Sequence, residues 1–143
     1  MAAIKAGSFA FETLDGLAGW QSILGLQFEA LVVNHYGELL PMLNPGGNLI
    51  LSAAPYCKRG KDGVQVDLLL QMRNAVELVE VKRTRHIDEA VEAEMERKVA
   101  KMPIRGRKSV RTALVYDGEL SPAIRENGYF DIIVSAKEWL GLA

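Results

Sequence analysis

The sequence predicts an α/β protein in which a mixed central sheet is flanked by helices on both faces. Three observations carry this. The stretch 63–84, GVQVDLLLQMRNAVELVEVKRT, holds two short apolar runs separated by a turn. Amphipathic helical patterns lie on either side of it, at 20–43 and 87–102. Further apolar strand-like runs stand at 48–54, 109–116 and 130–134, so strands and helices are interleaved along the chain.

Residues 1–19 have no settled element. Gly7, Gly16 and Gly19 interrupt any helix, while Phe9, Phe11 and Leu14 predict a segment that packs on another surface. The segment is taken as an extension or linker remnant ahead of a domain at 20–143. Trp20 to Leu43 is expected to be one helix. Ile23, Phe28, Leu31, Val32, His35 and Leu39 recur at spacings of three and four, with Leu24 and Leu40 widening the stripe. His35 lies within that stripe and is expected at the core or its boundary. Pro45-Gly46-Gly47 ends the helix. Asn48 to Ala54 is a strand. Pro55 to Gly63 is a turn-rich, basic loop carrying Lys58, Arg59 and Lys61.

The hairpin comes next. With Arg73 and Asn74 as its two loop residues, Met72 faces Ala75, and counting back along both strands sets Asp67 across from Glu80. Alternation then puts Asp67, Glu80 and Lys82 on one face. Arg83-Thr84-Arg85-His86 leaves the end of the second strand. Ile87 to Met102 is a strong helix, with acids in its first half and Arg97, Lys98 and Lys101 in its last turns, as the helix dipole favours. Its apolar stripe is Ile87, Val91, Met95, Val99 and Met102. At about 100° per residue Lys98 projects inside that stripe. It either snorkels and pairs with Glu94 one turn back or faces a site on the sheet. Residues 103–108 form a basic turn, and 109–116 a strand punctuated by Asp117-Gly118. A short helix over 120–127 starts at Ser121-Pro122. A strand at 130–134 and a helical turn at 136–142 close the chain. The strands at 66–70 and 78–81 are expected at the centre, because both of their faces are apolar apart from the site residues.

At 143 residues the chain suffices for one domain with a real core. The net charge of −1 supplies no overall cationic field, so affinity for a polyanion must come from local patches. Cys57 is the sole cysteine, which excludes an intramolecular disulfide; a half-buried, unreactive thiol is expected. No stretch is apolar for the length of a membrane span, and no signal-peptide pattern opens the chain. A cytoplasmic protein with no membrane partner is therefore expected. It carries no GxxxxGK[ST] loop and so no ATPase site of its own.

Asp67 and Glu80 are the candidate site. Carboxylates opposite each other on paired strands, roughly 5 Å apart at Cβ, repel, and the apolar flanks screen that repulsion poorly. A hard divalent cation such as Mg2+ resolves the conflict. The alternative is a frayed, solvated strand end paired with a lysine. Lys82 points to the same site. Glu29 is either a solvated acid on the helix flank or a third carboxylate reaching over the sheet.

Asp67, a hairpin, then Glu80-Val81-Lys82 resembles the core of the PD-(D/E)XK nuclease superfamily. Gly25-Leu26-Gln27-Phe28-Glu29 and Gly128-Tyr129-Phe130-Asp131 resemble segments of one branch, the nuclease-like domain at the C-terminal end of archaeal-type AAA ATPases. The similarity runs from about Trp20 to Leu142, and Val66 stands where the superfamily name has proline. The resemblance implies a restriction-endonuclease-like core in αβββαβ order and a metal-dependent nuclease acting on DNA. Asp67, Glu80, the Val81 carbonyl and Glu29 would hold Mg2+ or Mn2+, and Lys82 would act beside them. It extends the expected phosphate contacts to Arg83, Arg85 and Lys98, along with Lys58 and Arg59, and it admits an AAA ATPase partner and a homodimer. His86 has no spacing that singles it out. The competing expectation is a non-catalytic module that binds nucleic acid or protein on the same fold.

Overall fold

The computed structural model describes residues 20–104 and 106–141; the extension at 1–19 lies outside the described residues. Two helices, α1 (Trp20–Asn34) and α2 (Tyr36–Leu43), precede the strands β1 (Ile50–Lys58), β2 (Val64–Met72) and β3 (Ala75–Ile87). Then come α3 (Ala90–Lys101), β4 (Ser109–Leu120), α4 (Pro122–Asn127), β5 (Ile132–Ser135) and α5 (Ala136–Leu140). The five strands form one sheet in the order β1-β2-β3-β4-β5. The β1–β2 and β2–β3 pairs are antiparallel, and β3–β4 and β4–β5 are parallel, so the sheet is mixed, with β3 at its centre.

Alternation along the strands builds two cores. Phe28, Val32, Leu39 and Leu43 of α1 and α2 cover one face, against Leu68, Leu70, Val79 and Val81. Val91 and Met95 of α3 and Ile124 of α4 cover the other, against Leu69, Leu78 and Leu114. Helices thus lie on both faces. No helix among the described residues is long and apolar enough to cross a membrane.

Several element boundaries differ from those expected. The helix over 20–43 is two helices, because the backbone leaves the helical region at His35 (φ −123°, ψ 24°). His35 is exposed, 3.8 Å from Glu38, rather than at the core boundary. On α1 only Phe28 and Val32 of the expected stripe are buried, and Ile23 and Leu31 are exposed. Asn44 ends α2 by a ring of its own, its side chain donating to the Asn48 carbonyl (2.7 Å) and accepting from the Asn48 amide (3.2 Å).

β1 runs on through Pro55 to Lys58, where a loop was expected; proline is tolerated because β1 is an edge strand. Cys57 on that edge is exposed, not half-buried. β3 likewise continues through Arg83-Thr84-Arg85-His86, carried by β4, and Ile87 ends this strand instead of starting α3. The Asp88 carboxylate accepts from the Ala90 amide (2.9 Å) where α3 begins. β4 passes through Asp117-Gly118 because Gly118 adopts φ +138° and lets the Thr84 carbonyl approach to where a Cβ would stand. Helix α4 starts with Pro122, as expected.

Candidate functional site

The site is built where β2 and β3 part. Their ladder pairs Gln71 with Val76, Leu70 with Glu77, Leu69 with Leu78 and Leu68 with Val79, and pairs no further residues. This is the register set by a two-residue turn at Arg73-Asn74. Beyond it β2 stays with β1 as far as Val64, while β3 stays with β4 as far as Ile87. Asp67 and Glu80 are the next residues on each side of the fork.

A β-bulge places Asp67 there. Ala54 is opposite Leu69 and Tyr56 opposite Val66, so β2 carries one residue more than β1 across this interval. The bulge breaks alternation: Val66 and Leu69 pack in one core and Leu68 in the other. Released from a face, the Asp67 side chain turns into the gap between the strands. Its Oδ2 accepts a 2.8 Å hydrogen bond from the Val81 main-chain N–H, which has no strand partner on that side. Asp67 therefore does not share a face with Glu80 and Lys82 in the simple way alternation predicts. It bridges the two faces through the fork.

Glu80 points toward α3. It is 5% exposed and Asp67 7%. Burial, and after it the neighbouring Asp67 carboxylate, push the Glu80 pKa up to about 7, and Lys98 pulls it down. From the opposite face α1 contributes Glu29, whose pKa is raised by burial and then by Asp67, with Lys98 opposing. Gly25, one turn earlier on α1, passes close to the Arg83 carbonyl of β3, an ideal Cβ lying 3.7 Å from it. Asp67 thus acts on Glu29 from one side and on Glu80 from the other.

Two lysines answer the acids. Lys98 Nζ lies 2.8 Å from Glu80 Oε2, which decides its position: it faces the sheet and does not pair with Glu94. Glu94 instead takes Lys82, at 3.3 Å with both side chains half-exposed. The exchange of partners follows from β3 and α3 lying face to face, so Glu80 and Lys82 meet Lys98 and Glu94 in a crossed set. The sequence signal for Glu94 was its place one turn before Lys98, read there as an intrahelical partner.

The expected phosphate contacts are spread more widely. Lys58 ends β1 and Arg59 follows it; both are exposed, at the same end of the sheet as the fork. Arg83 is half-buried with its Nε 3.5 Å from Asp117, across the β3–β4 ladder. Arg85 is exposed near the end of β3, and His86 pairs with Glu119 at 3.1 Å. A cavity of about 350 Å³ opens beside Lys98, lined also by Gly63, Val64, Gln65, Glu94, Arg97 and Lys101.

The donor chemistry of Asp67, Glu80 and Glu29 is that of hard oxygen ligands, suited to Mg2+ or Mn2+. The Val81 carbonyl points to the same strand edge as its N–H, toward Asp67. Among the described residues, however, no three His, Cys, Asp or Glu side chains are gathered as a formed cation cage. The residue types fit the ion. The ammonium of Lys98 holds Glu80 Oε2.

A fold comparison sets this arrangement beside a solved structure. The chain is similar to the crystal structure of protein VC1899 from Vibrio cholerae, with a TM-score of 0.50 and 15% sequence identity. The likeness covers 80% of this chain and 30% of that one, so this chain spans less than a third of the length of VC1899. At that identity it shows the fold alone. No family model and no curated protein matches the sequence.

Proposed function

We propose that this domain is a metal-dependent nuclease that hydrolyses phosphodiester bonds in DNA. The observation that supports this best is the fork itself. A bulge and a truncated ladder bring two buried carboxylates together in the middle of a sheet, at a cost that a structural site would have no reason to bear. The Asp67–Val81 hydrogen bond fixes one carboxylate without neutralising it.

Asp67, Glu80 and the Val81 carbonyl would hold the ion, and Glu29 would hold it or a water bound to it. When bound, Mg2+ or Mn2+ supplies an acidified water and positive charge against the phosphate. Lys82 stands two residues beyond Glu80 on the same face, where release from Glu94 frees its ammonium to orient the water or neutralise the scissile phosphate. Arg83, Arg85, Lys58 and Arg59 lie at the fork end of the sheet and would track the backbone, each contact adding to a salt-dependent affinity. The proposal extends, on the resemblance alone, to an AAA ATPase partner.

One observation favours a second reading, a non-catalytic binding module. The crossed pairs Glu80–Lys98 and Lys82–Glu94 neutralise the four charges in a ring that is complete without an ion. A cleavage assay on plasmid and single-stranded DNA with Mg2+ or Mn2+ separates the two. The nuclease reading expects cutting by the wild type and none by Glu80→Ala. A Glu80→Ala variant that cuts at the wild-type rate overturns the assignment. A wild type that neither cuts nor binds Mn2+ at millimolar concentration leaves the binding module.

A further inference from the structure

We infer that Lys98 holds the cation position as a built-in competitor for the divalent ion, and is handed to a phosphate when the ion enters. This rests on the metal-dependent reading above and names the residue that would couple its two ligands.

The geometry has two halves. On one side the Lys98 ammonium is 2.8 Å from Glu80 Oε2, on the strand that Asp67 clips at Val81. Lys98 is the cation that opposes the raised pKa of both Glu29 and Glu80. An ammonium and a divalent ion held by one carboxylate repel each other at a few ångströms, and the doubly charged ion is the stronger competitor. Entry of the ion therefore displaces Lys98 from Glu80.

On the other side Lys98 lines the cavity of about 350 Å³ beside β2, where Arg97 and Lys101 from the same helix stand with it. Of the charged side chains lining that cavity, three are basic and one, Glu94, is acidic. A lysine is a point charge on a flexible four-carbon stem, so its ammonium swings from Glu80 to the cavity without moving the helix. There it joins two further cations, Arg97 and Lys101, beside a space that admits a phosphate group. Ion entry and phosphate binding thus favour each other, and by linkage the coupling acts equally in both directions. Without either ligand Lys98 stays on Glu80.

The test is calorimetric titration with Mn2+ alone, using the whole chain as wild type, Lys98→Met, Lys98→Gln and the control Lys101→Met. Lys98→Met and Lys98→Gln are expected to bind Mn2+ more tightly than wild type, by about tenfold or more, because a unit charge at contact distance is removed. Lys101→Met should match wild type in Mn2+ affinity. In a second readout, Mn2+ should strengthen the binding of a phosphorothioate oligonucleotide to wild type, and this gain should vanish in Lys98→Met. Lys98→Gln keeps a neutral donor toward Glu80 and serves if Lys98→Met fails to fold. Wild-type Mn2+ binding that is unchanged or weakened in both variants overturns the role of Lys98 and leaves the metal site standing. Absence of Mn2+ binding in wild type and variants alike overturns the metal reading, and this inference with it.

Discussion

The Asp67 carboxylate accepts its hydrogen bond from the main-chain amide of Val81, the residue between Glu80 and Lys82. One acid thus clips the strand that carries the other two site residues. It does so where the strand ladder has ended, so the bond stands in for the backbone carbonyl that β2 no longer offers.

That dual role separates two substitutions. Asp67→Asn keeps an oxygen for the Val81 N–H and removes the charge. It should fold with a stability within about 1 kcal/mol of wild type and lose DNA cleavage by about a hundredfold or more. Asp67→Ala leaves the buried N–H unpaired and should cost about 1–3 kcal/mol in urea unfolding as well. Equal stabilities for the two variants would mean that the Val81 bond does not hold the fork.

Lys82 offers the complementary case. Its pair with Glu94 is half-exposed, and pairs of that kind contribute about 0–1 kcal/mol. Lys82→Ala should therefore melt within a few degrees of wild type yet lose cleavage. Parallel loss of stability and cleavage would reduce Lys82 to a structural residue.

What the sequence made legible follows from what is local. The register of the hairpin was readable because a two-residue turn fixes it, and counting from Arg73-Asn74 reaches Asp67 opposite Glu80. The bulge that turns Asp67 into the fork was not, because it depends on how β1 meets β2 around Pro55, a non-local pairing. The break at His35 was hidden because the apolar spacing continues across it while the backbone does not. Lys98 was left between two roles by the helical wheel alone; the partner that decided it, Glu80, lies on another element. Glu77 escaped notice inside an apolar run, since alternation sends it to the face opposite Glu80.

Gly118 tests the extension of β3 beyond the site. With φ +138° and the Thr84 carbonyl where a Cβ would sit, Gly118→Ala is excluded twice, by conformation and by space. The bulge at Thr84-Arg85, which β3 forms between Arg83 and His86, packs on this glycine. The substitution should destabilise by more than about 3 kcal/mol, read as a large fall in urea midpoint or in soluble yield. A well-folded Gly118→Ala with wild-type midpoint would show that β3 and β4 do not approach so closely in solution.

Glu77 should make the stability of this domain fall with rising pH. It is 0% exposed, and neither carboxylate oxygen has a hydrogen-bond partner among the described residues. Burial pushes its pKa from the ordinary 4.5 up to about 7, against the pull of Arg111 and with a further push from Asp131. A native pKa above the unfolded one means that the folded state binds more protons across that window. The stabilising contribution is therefore complete below about pH 4.5 and is lost as pH rises through about 7. A shift of this size corresponds to roughly 3 kcal/mol. Glu80 titrates in the same direction, so the wild-type slope alone does not isolate Glu77. Glu77→Gln does. At pH 5 it should lie within about 1 kcal/mol of wild type, and at pH 8 it should be more stable by about 1–3 kcal/mol, because the amide has no charge to bury. Urea midpoints measured from pH 5 to 8 decide it. Curves that run parallel for wild type and variant would mean that Glu77 ionises without penalty, its charge met by Arg111 across the β3–β4 ladder.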